Sequence, residues 1–232
     1  EDLPRLDYSG GASCPSLLLE PQRSNLITQS EYYNSVWTLQ NVSVTNNATT
    51  SPEGNNNASK LIPNTTTGLH RLRSNTISIS SNGAYSAFVK ADGYSKIALR
   101  EDNSQGRYAS FDLSTGTLIE KTTSGAANIE DYGDGWYRLS FSDNAVSSVC
   151  QLSFYVLPDS YTSGSPAATN WAGDGTKGVF VYGAQVEEGS YSTSYIPTYG
   201  VSQTRAVDYC NKTGATDLIG QTEGTIFYDW IM

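Results

Sequence analysis

Between Tyr85 and Phe141, apolar and polar residues alternate in short runs, and clusters of Gly, Asn, Asp and Ser separate the runs. A period of two broken by turn residues is the pattern of antiparallel strands joined by tight turns. In Ser95–Glu101, Ile97 and Leu99 point one way and Lys96, Ala98 and Arg100 the other. In Arg107–Leu113, Ala109, Phe111 and Leu113 oppose Tyr108, Ser110 and Asp112. In Trp136–Phe141, Tyr137, Leu139 and Phe141 oppose Trp136, Arg138 and Ser140. Each strand therefore has one core face and one wet face, and the core faces need a second sheet to cover them. The expectation is an all-β chain whose main unit is a β-sandwich of jelly-roll type.

The strand pattern and the punctuation divide the 232 residues into three parts. Residues 1–24 carry Pro and Gly and one short apolar run, Leu17–Leu19, and read as a lead-in. Residues 25–200 hold the strands: Val36–Thr45, Lys60–Pro63, Leu69–Ser80, the central stretch, Val149–Leu157 and Gly178–Glu187. Ala48–Asn57 reads as a polar loop, and Pro158–Lys177 as a long loop of the length that is functional or unstructured. Residues 201–232 read as a linker and the cut start of a further β domain.

A formal charge of −9 argues against nucleic acid or an anionic membrane as a partner. No apolar run approaches the roughly 20 residues of a membrane span. Sixteen Tyr among abundant Ser, Thr, Asn and Gly suit a surface that holds polar ligands by stacking and hydrogen bonds, although Tyr also favours strands for itself. Of three Cys, Cys150 shares a strand face with Leu152, Phe154 and Val156 and reads as a buried thiol. Cys14 and Cys210 flank the main unit and form a candidate disulfide if its ends meet.

No nucleophile or metal motif is present: there is no GxSxG, no HExxH and no CxxC, and the single His, His70, reads as a surface or half-buried strand residue. The pairs Glu130/Asp131 and Glu187/Glu188 are adjacent on strands, so their carboxylates diverge and suggest no glycosidase pair. The chain is read as a non-enzyme with no certain cofactor. The one cofactor candidate is a structural calcium, with oxygens from Glu101–Asn103 and Asp131–Asp134. Ordinary turn residues are the alternative.

Two surfaces suit a ligand. One is the wet face carrying Arg100, Tyr108, Asp112, Trp136, Arg138 and Tyr155, an aromatic plate beside donors and acceptors. A ring of that kind stacks on the C–H face of a sugar while polar groups take its hydroxyls. The other is the long loop, where Tyr161 and Trp171 have little core to enter and are expected to be exposed. For Trp136 the alternative, a structural strand residue covered by a loop, is the reading favoured over a ligand plate.

Three segments resemble known modules. PRLDYSGGASCPSLLLEPQRSNL (Pro4–Leu26) is similar to a segment of phage and prophage tail-fibre and virion-appendage proteins, and of surface or secreted proteins of marine bacteria. YGAQVEEGSYSTSYIPT (Tyr182–Thr198) resembles the closing strand and exit of the same domains, and GDGWYRLSF (Gly133–Phe141) their central strand. The spacing NLIxxSExxxxxxW from Asn25 to Trp37 resembles the opening strand of jelly-roll carbohydrate-binding modules. DLIGQTEGTIF (Asp217–Phe227) resembles the start of a concanavalin-like sandwich. The resemblance implies a carbohydrate-binding, adhesive module on a phage tail fibre or virion appendage, virion-borne or extracellular, with a glycan as partner and a homotrimer as candidate assembly. Two alternatives follow from it: a module of a secreted polysaccharide-degrading enzyme, and a purely structural fibre domain. It carries no sugar-contacting residue onto this chain.

Overall fold

The computed structural model of the chain describes residues 6–7, 16–33, 36–80, 82–144 and 148–209. They fall into two compact units, Glu1–Gln22 with Ala206–Met232, and Arg23–Arg205. In the first, β1 (Leu6–Asp7) pairs antiparallel with β2 (Ser16–Leu17), and Glu20 and Asp208 exchange hydrogen bonds of 2.9 Å. Cys14, Cys210 and the Asp217–Phe227 segment lie outside the described residues.

The second unit is built almost wholly of strands. In chain order they are β3 (Arg23–Asn25), β4 (Thr38–Gln40), β5 (Val42–Thr49), β6 (Ala58–Pro63), β7 (His70–Arg73), β8 (Ile77–Ser78) and β9 (Gly83–Asp92). After these come β10 (Lys96–Asp102), β11 (Tyr108–Asp112), β12 (Thr117–Lys121), β13 (Ala127–Asp131), β14 (Trp136–Asp143), β15 (Val149–Leu157), β16 (Gly178–Glu188) and β17 (Gln203–Arg205). A seven-stranded sheet runs β12-β11-β10-β15-β7-β4, with β8 also on β15, and a six-stranded sheet runs β13-β14-β9-β16-β6-β5. All the strand pairs are antiparallel, and the two sheets form a β-sandwich with jelly-roll connections, as the alternation predicts.

The alternating residues meet between the sheets. Ile97, Leu99, Phe111, Leu152 and Phe154 from one sheet face Leu61, Tyr85, Val89, Leu139 and Val181 from the other, all fully buried. Cys150 is buried among them, as its strand face predicts, and burial raises its thiol to about 11. The expected strand Val36–Thr45 is broken at Asn41, whose φ of 54° ends β4 and starts β5. Asn accepts that left-handed backbone at small cost, and its amide donates to the Leu69 carbonyl at 2.9 Å. The Ala48–Asn57 segment is less open than its polarity suggests. β5 runs through Thr49, Ser51 is buried, and the Trp136 indole caps the Thr50 carbonyl at 3.2 Å.

One buried side chain ties the ends of the unit together. Asn25 donates its amide to the carbonyls of Ala184 (3.1 Å) and Ile196 (2.8 Å), and its oxygen accepts from the Ile27 and Val186 amides. Ala184 is free to make this contact because β16 bulges at Gly183, where φ is +63° and a Cβ would press on Phe88 and Tyr195. β3 then pairs with β17, Arg23 opposite Arg205.

Candidate functional site

Six of the eight sequence candidates lie on strands and separate onto two sheets, and Tyr161 and Trp171 lie on the Pro158–Lys177 loop. β14 lies in the six-stranded sheet, so Trp136 and Arg138 do not share a face with Arg100, Tyr108, Asp112 and Tyr155. Periodicity assigns a face within a strand but not the sheet to which the strand belongs. Trp136 is 3% exposed and packs with Ala58, Phe88 and Tyr182. Arg138 donates to the Thr193 carbonyl and lies over Phe88, 5.6 Å from the ring centre.

The expected exposure of the loop aromatics is corrected too. Tyr161 is buried on Ala98, Tyr155 and Leu157, because the Pro158–Lys177 loop folds back over the outer face of the seven-stranded sheet. Its hydroxyl donates to Glu120 at 2.5 Å, and its carbonyl accepts from Lys96 at 2.7 Å. Trp171 is half-buried, edge-on to His70 (4.6 Å) and Tyr94 (4.9 Å). His70 is buried rather than superficial, its ring nitrogens 2.7 Å from the Asn41 carbonyl and 3.0 Å from that of Trp171. Tyr108 also reaches Glu120 (3.3 Å), and Asp112, at the roofed end of the face, takes the Ser114 amide (2.9 Å), so both are engaged.

The other end of that face is cationic and opens to solvent at its β4 edge, where Thr38 and Gln40 are exposed. Register places Thr38, Arg73, Ser153, Arg100 and Tyr108 side by side across five strands. Gln40, Arg71, Tyr155 and Ala98 form the next row. Asp102 sits at the centre with four donors: Ser153 (2.6 Å), the Tyr155 hydroxyl (3.2 Å), Arg71 (3.1 Å) and the Arg100 guanidinium. Arg71 is further held by the Tyr155 oxygen (3.1 Å) and by exposed Gln40 (2.8 Å). The Arg71 and Arg100 guanidiniums lie 5.7 and 6.0 Å from the Tyr155 ring centre. Arg73 has no polar partner among the described residues, and burial together with the Arg71 charge lowers its pKa. Two guanidiniums thus share one carboxylate and a third, Arg73, stands on the same face unpaired, an excess of two positive charges at this end. Arg71, Arg73 and Gln40 were not among the sequence candidates, and Asp102 was one only as a calcium oxygen. The alternation in HRLR does put both Arg on one face, but the pairing of β7 with β15 is not visible in sequence.

Of the calcium candidates, Asp131 accepts the Gly133 amide in a turn (2.8 Å), and Asp102 is paired with Arg. Among the described residues no group of three or more His, Cys, Asp and Glu is placed to hold a metal ion. Glu101 is buried facing the core, one oxygen accepting the Gln105 and Gly106 amides at 3.0 and 3.1 Å and the other unpartnered. Burial raises its pKa to about 7, and the Asp143 charge adds to the rise. The folded chain therefore holds this proton more tightly than the unfolded chain. The stabilisation is complete below the unfolded value near 4.5 and is lost as pH rises through 7. Glu101→Gln is expected to flatten the fall of melting temperature between pH 5 and 8 and to be the more stable form at pH 8 by about 1–3 kcal/mol. Parallel melting curves of the two proteins across pH check this.

No protein-family model matches the chain, and no curated protein matches it. Among solved structures it is similar to the enzymatically active domain of bacteriophage CBA120 tailspike protein 4, at 14% identity and TM-score 0.40 over 70% of this chain. The match spans 21% of the tailspike chain. It is also similar to TmCBM61, solved with β-1,4-galactotriose, at 11% identity and TM-score 0.42 over 70% of this chain and 97% of that one. A third is the CBM22-1 xylan-binding domain of Paenibacillus barcinonensis Xyn10C, at 11% identity and TM-score 0.34 over 73% and 94%. Likeness of this extent assigns no ligand. Among the described residues no helix is long and apolar enough to cross a membrane.

Proposed function

We propose that the Arg23–Arg205 unit is a non-catalytic glycan-binding module that holds an acidic glycan on the open end of its seven-stranded sheet. The observation that carries this reading is the pairing of Arg71 and Arg100 to the single carboxylate of Asp102, with a third guanidinium, Arg73, on the same face and no acid partner among the described residues, in a chain whose net charge is −9. A local excess of positive charge on an acidic protein selects a ligand with anionic groups of its own. The forked guanidinium donates two parallel hydrogen bonds to a carboxylate or sulfate, and Gln40 and Thr38 at the exposed edge offer partners to hydroxyls. The fork of Arg71 is already oriented by three acceptors, so little freedom is lost on binding. The wording of Pro4–Leu26 and Tyr182–Thr198 favours a tail fibre or similar virion appendage as the parent, acting outside the host cell. On a multivalent fibre, weak single sites gain by effective concentration.

An array of neutral, uronate-bearing and sulfated glycans tests the reading. The chain is expected to retain acidic members and to release them as salt is raised. The double variant Arg71→Ala/Arg73→Ala is expected to lose about tenfold to a hundredfold in affinity, the scale of charged hydrogen bonds. Absence of acidic-glycan binding, or binding unchanged in the double variant, refutes it.

A further inference from the structure

We propose that the opposite sheet carries a second, independent site that takes a neutral sugar ring. On its outer face, at the β13–β14 edge, a hollow of about 90 Å³ is lined by Asn128, Glu130, Arg138, Ser140, Tyr191 and Ser192 among others.

The lining is ordered by the fold. Asn128 stands opposite Ser140 and Glu130 opposite Arg138, so four polar side chains form a rectangle about 5 Å by 7 Å. The wall across from them is the segment Tyr191–Thr193. Buried Glu187 pins it through the Thr193 amide (2.8 Å) and hydroxyl (2.5 Å), and Ser192 donates to the Tyr85 carbonyl (3.4 Å). Tyr191 itself is 52% exposed, with the Arg23 guanidinium 5.6 Å from its ring centre. An exposed ring on a clamped backbone beside fixed hydroxyl, amide and carboxylate groups is the arrangement that stacks the C–H face of a pyranose and bonds its hydroxyls. One position along, Tyr132 is 48% exposed and packs edge-on to Phe88 at 5.0 Å, and Phe88 pairs with Arg138 across the strands. A neighbouring residue of the same oligosaccharide has a second ring there.

The charges set the class of ligand. Arg138 is committed to the Thr193 carbonyl, to Ser86 and to the Phe88 ring. Glu130, exposed across from it, has no polar partner among the described residues. Arg138 keeps its Nε unpartnered, and the Glu130 carboxylate stands directly opposite its guanidinium, so the hollow holds one charge of each sign and no net charge, which suits hydroxyl groups better than carboxylate or sulfate. The arginine face has the reverse preference, and neither site depends on the other.

Amide spectra of the ¹⁵N-labelled full chain, titrated separately with xylohexaose, cellohexaose, mannohexaose and trigalacturonate, test the proposal. At least one neutral probe is expected to shift the amides of Asn128, Glu130, Ser140 and Ser192, while trigalacturonate leaves them in place. Tyr191→Ala is expected to weaken that neutral probe about tenfold without changing the melting temperature, because the ring is on the surface. Arg71→Ala/Arg73→Ala is expected to leave the shifts intact. The site is overturned if no neutral probe moves these amides, if Tyr191→Ala leaves binding unchanged, or if the shifts disappear with the arginine-face variant.

Discussion

Trp136→Ala is expected to lower stability by about 3–5 kcal/mol, the cost of deleting a large buried aromatic. The indole is 3% exposed, fills the space between Phe88, Tyr182 and Ala58, and donates to the Thr50 carbonyl at 3.2 Å. Truncation removes its packing and leaves that carbonyl without its donor. In a unit of this size the loss lowers the melting temperature by roughly 6–20 °C. Trp136→Phe keeps most of the packing and loses the hydrogen bond, so it falls between the two. Melting curves beside the glycan array decide the matter. A Trp136→Ala protein that melts with the wild type yet binds no glycan would show the indole to be a ligand plate and would refute its structural role.

Asp102→Ala is expected to cost about 2–4 kcal/mol. Deleting one partner of a buried ion pair typically costs 3–5 kcal/mol, and here the stranded guanidiniums of Arg71 and Arg100 keep 16% and 20% of their exposure and so reach some water. The carboxylate also serves the Ser153 and Tyr155 hydroxyls, which lose an acceptor. The guanidiniums of Arg71 and Arg73 on β7 and of Arg100 on β10, on either side of β15, would then repel one another. Added sulfate is expected to raise the melting temperature of the variant more than that of the wild type, because the anion takes the vacated place. Equal response of both proteins to sulfate, or no loss of stability in the variant, would show that Asp102 does not balance this face.

The strands were legible because each leaves its own mark: Val149–Leu157 is found over that whole range, and the inward residues of β10 and β11 are those the alternation names. The binding surface was much less legible. Lys96, Arg100, Tyr108 and Asp112 stayed together because a short turn joins β10 to β11. Trp136 left that face because β14 pairs with β9, far back in the chain, and nothing local encodes that choice. Arg71 and Arg73 joined it through β15, some eighty residues away, for the same reason. Tyr161 and Trp171 illustrate another limit, since a polar loop can carry an aromatic home to a face that the loop itself covers. Tyr191 lies in a segment whose wording marked the end of the domain, and no strand pattern set it apart as a surface ring.

The pairing of Arg23 with Arg205 has a mechanical meaning. The unit starts and finishes on neighbouring antiparallel strands, so a pull on the chain from both sides meets at one point. Tension there opens β3 from β17 one hydrogen bond at a time, as a zipper opens, and reaches the Asn25 amide next. A load on the polypeptide would thus spend itself on a three-residue fastening and one buried Asn while both faces of the module kept their shape.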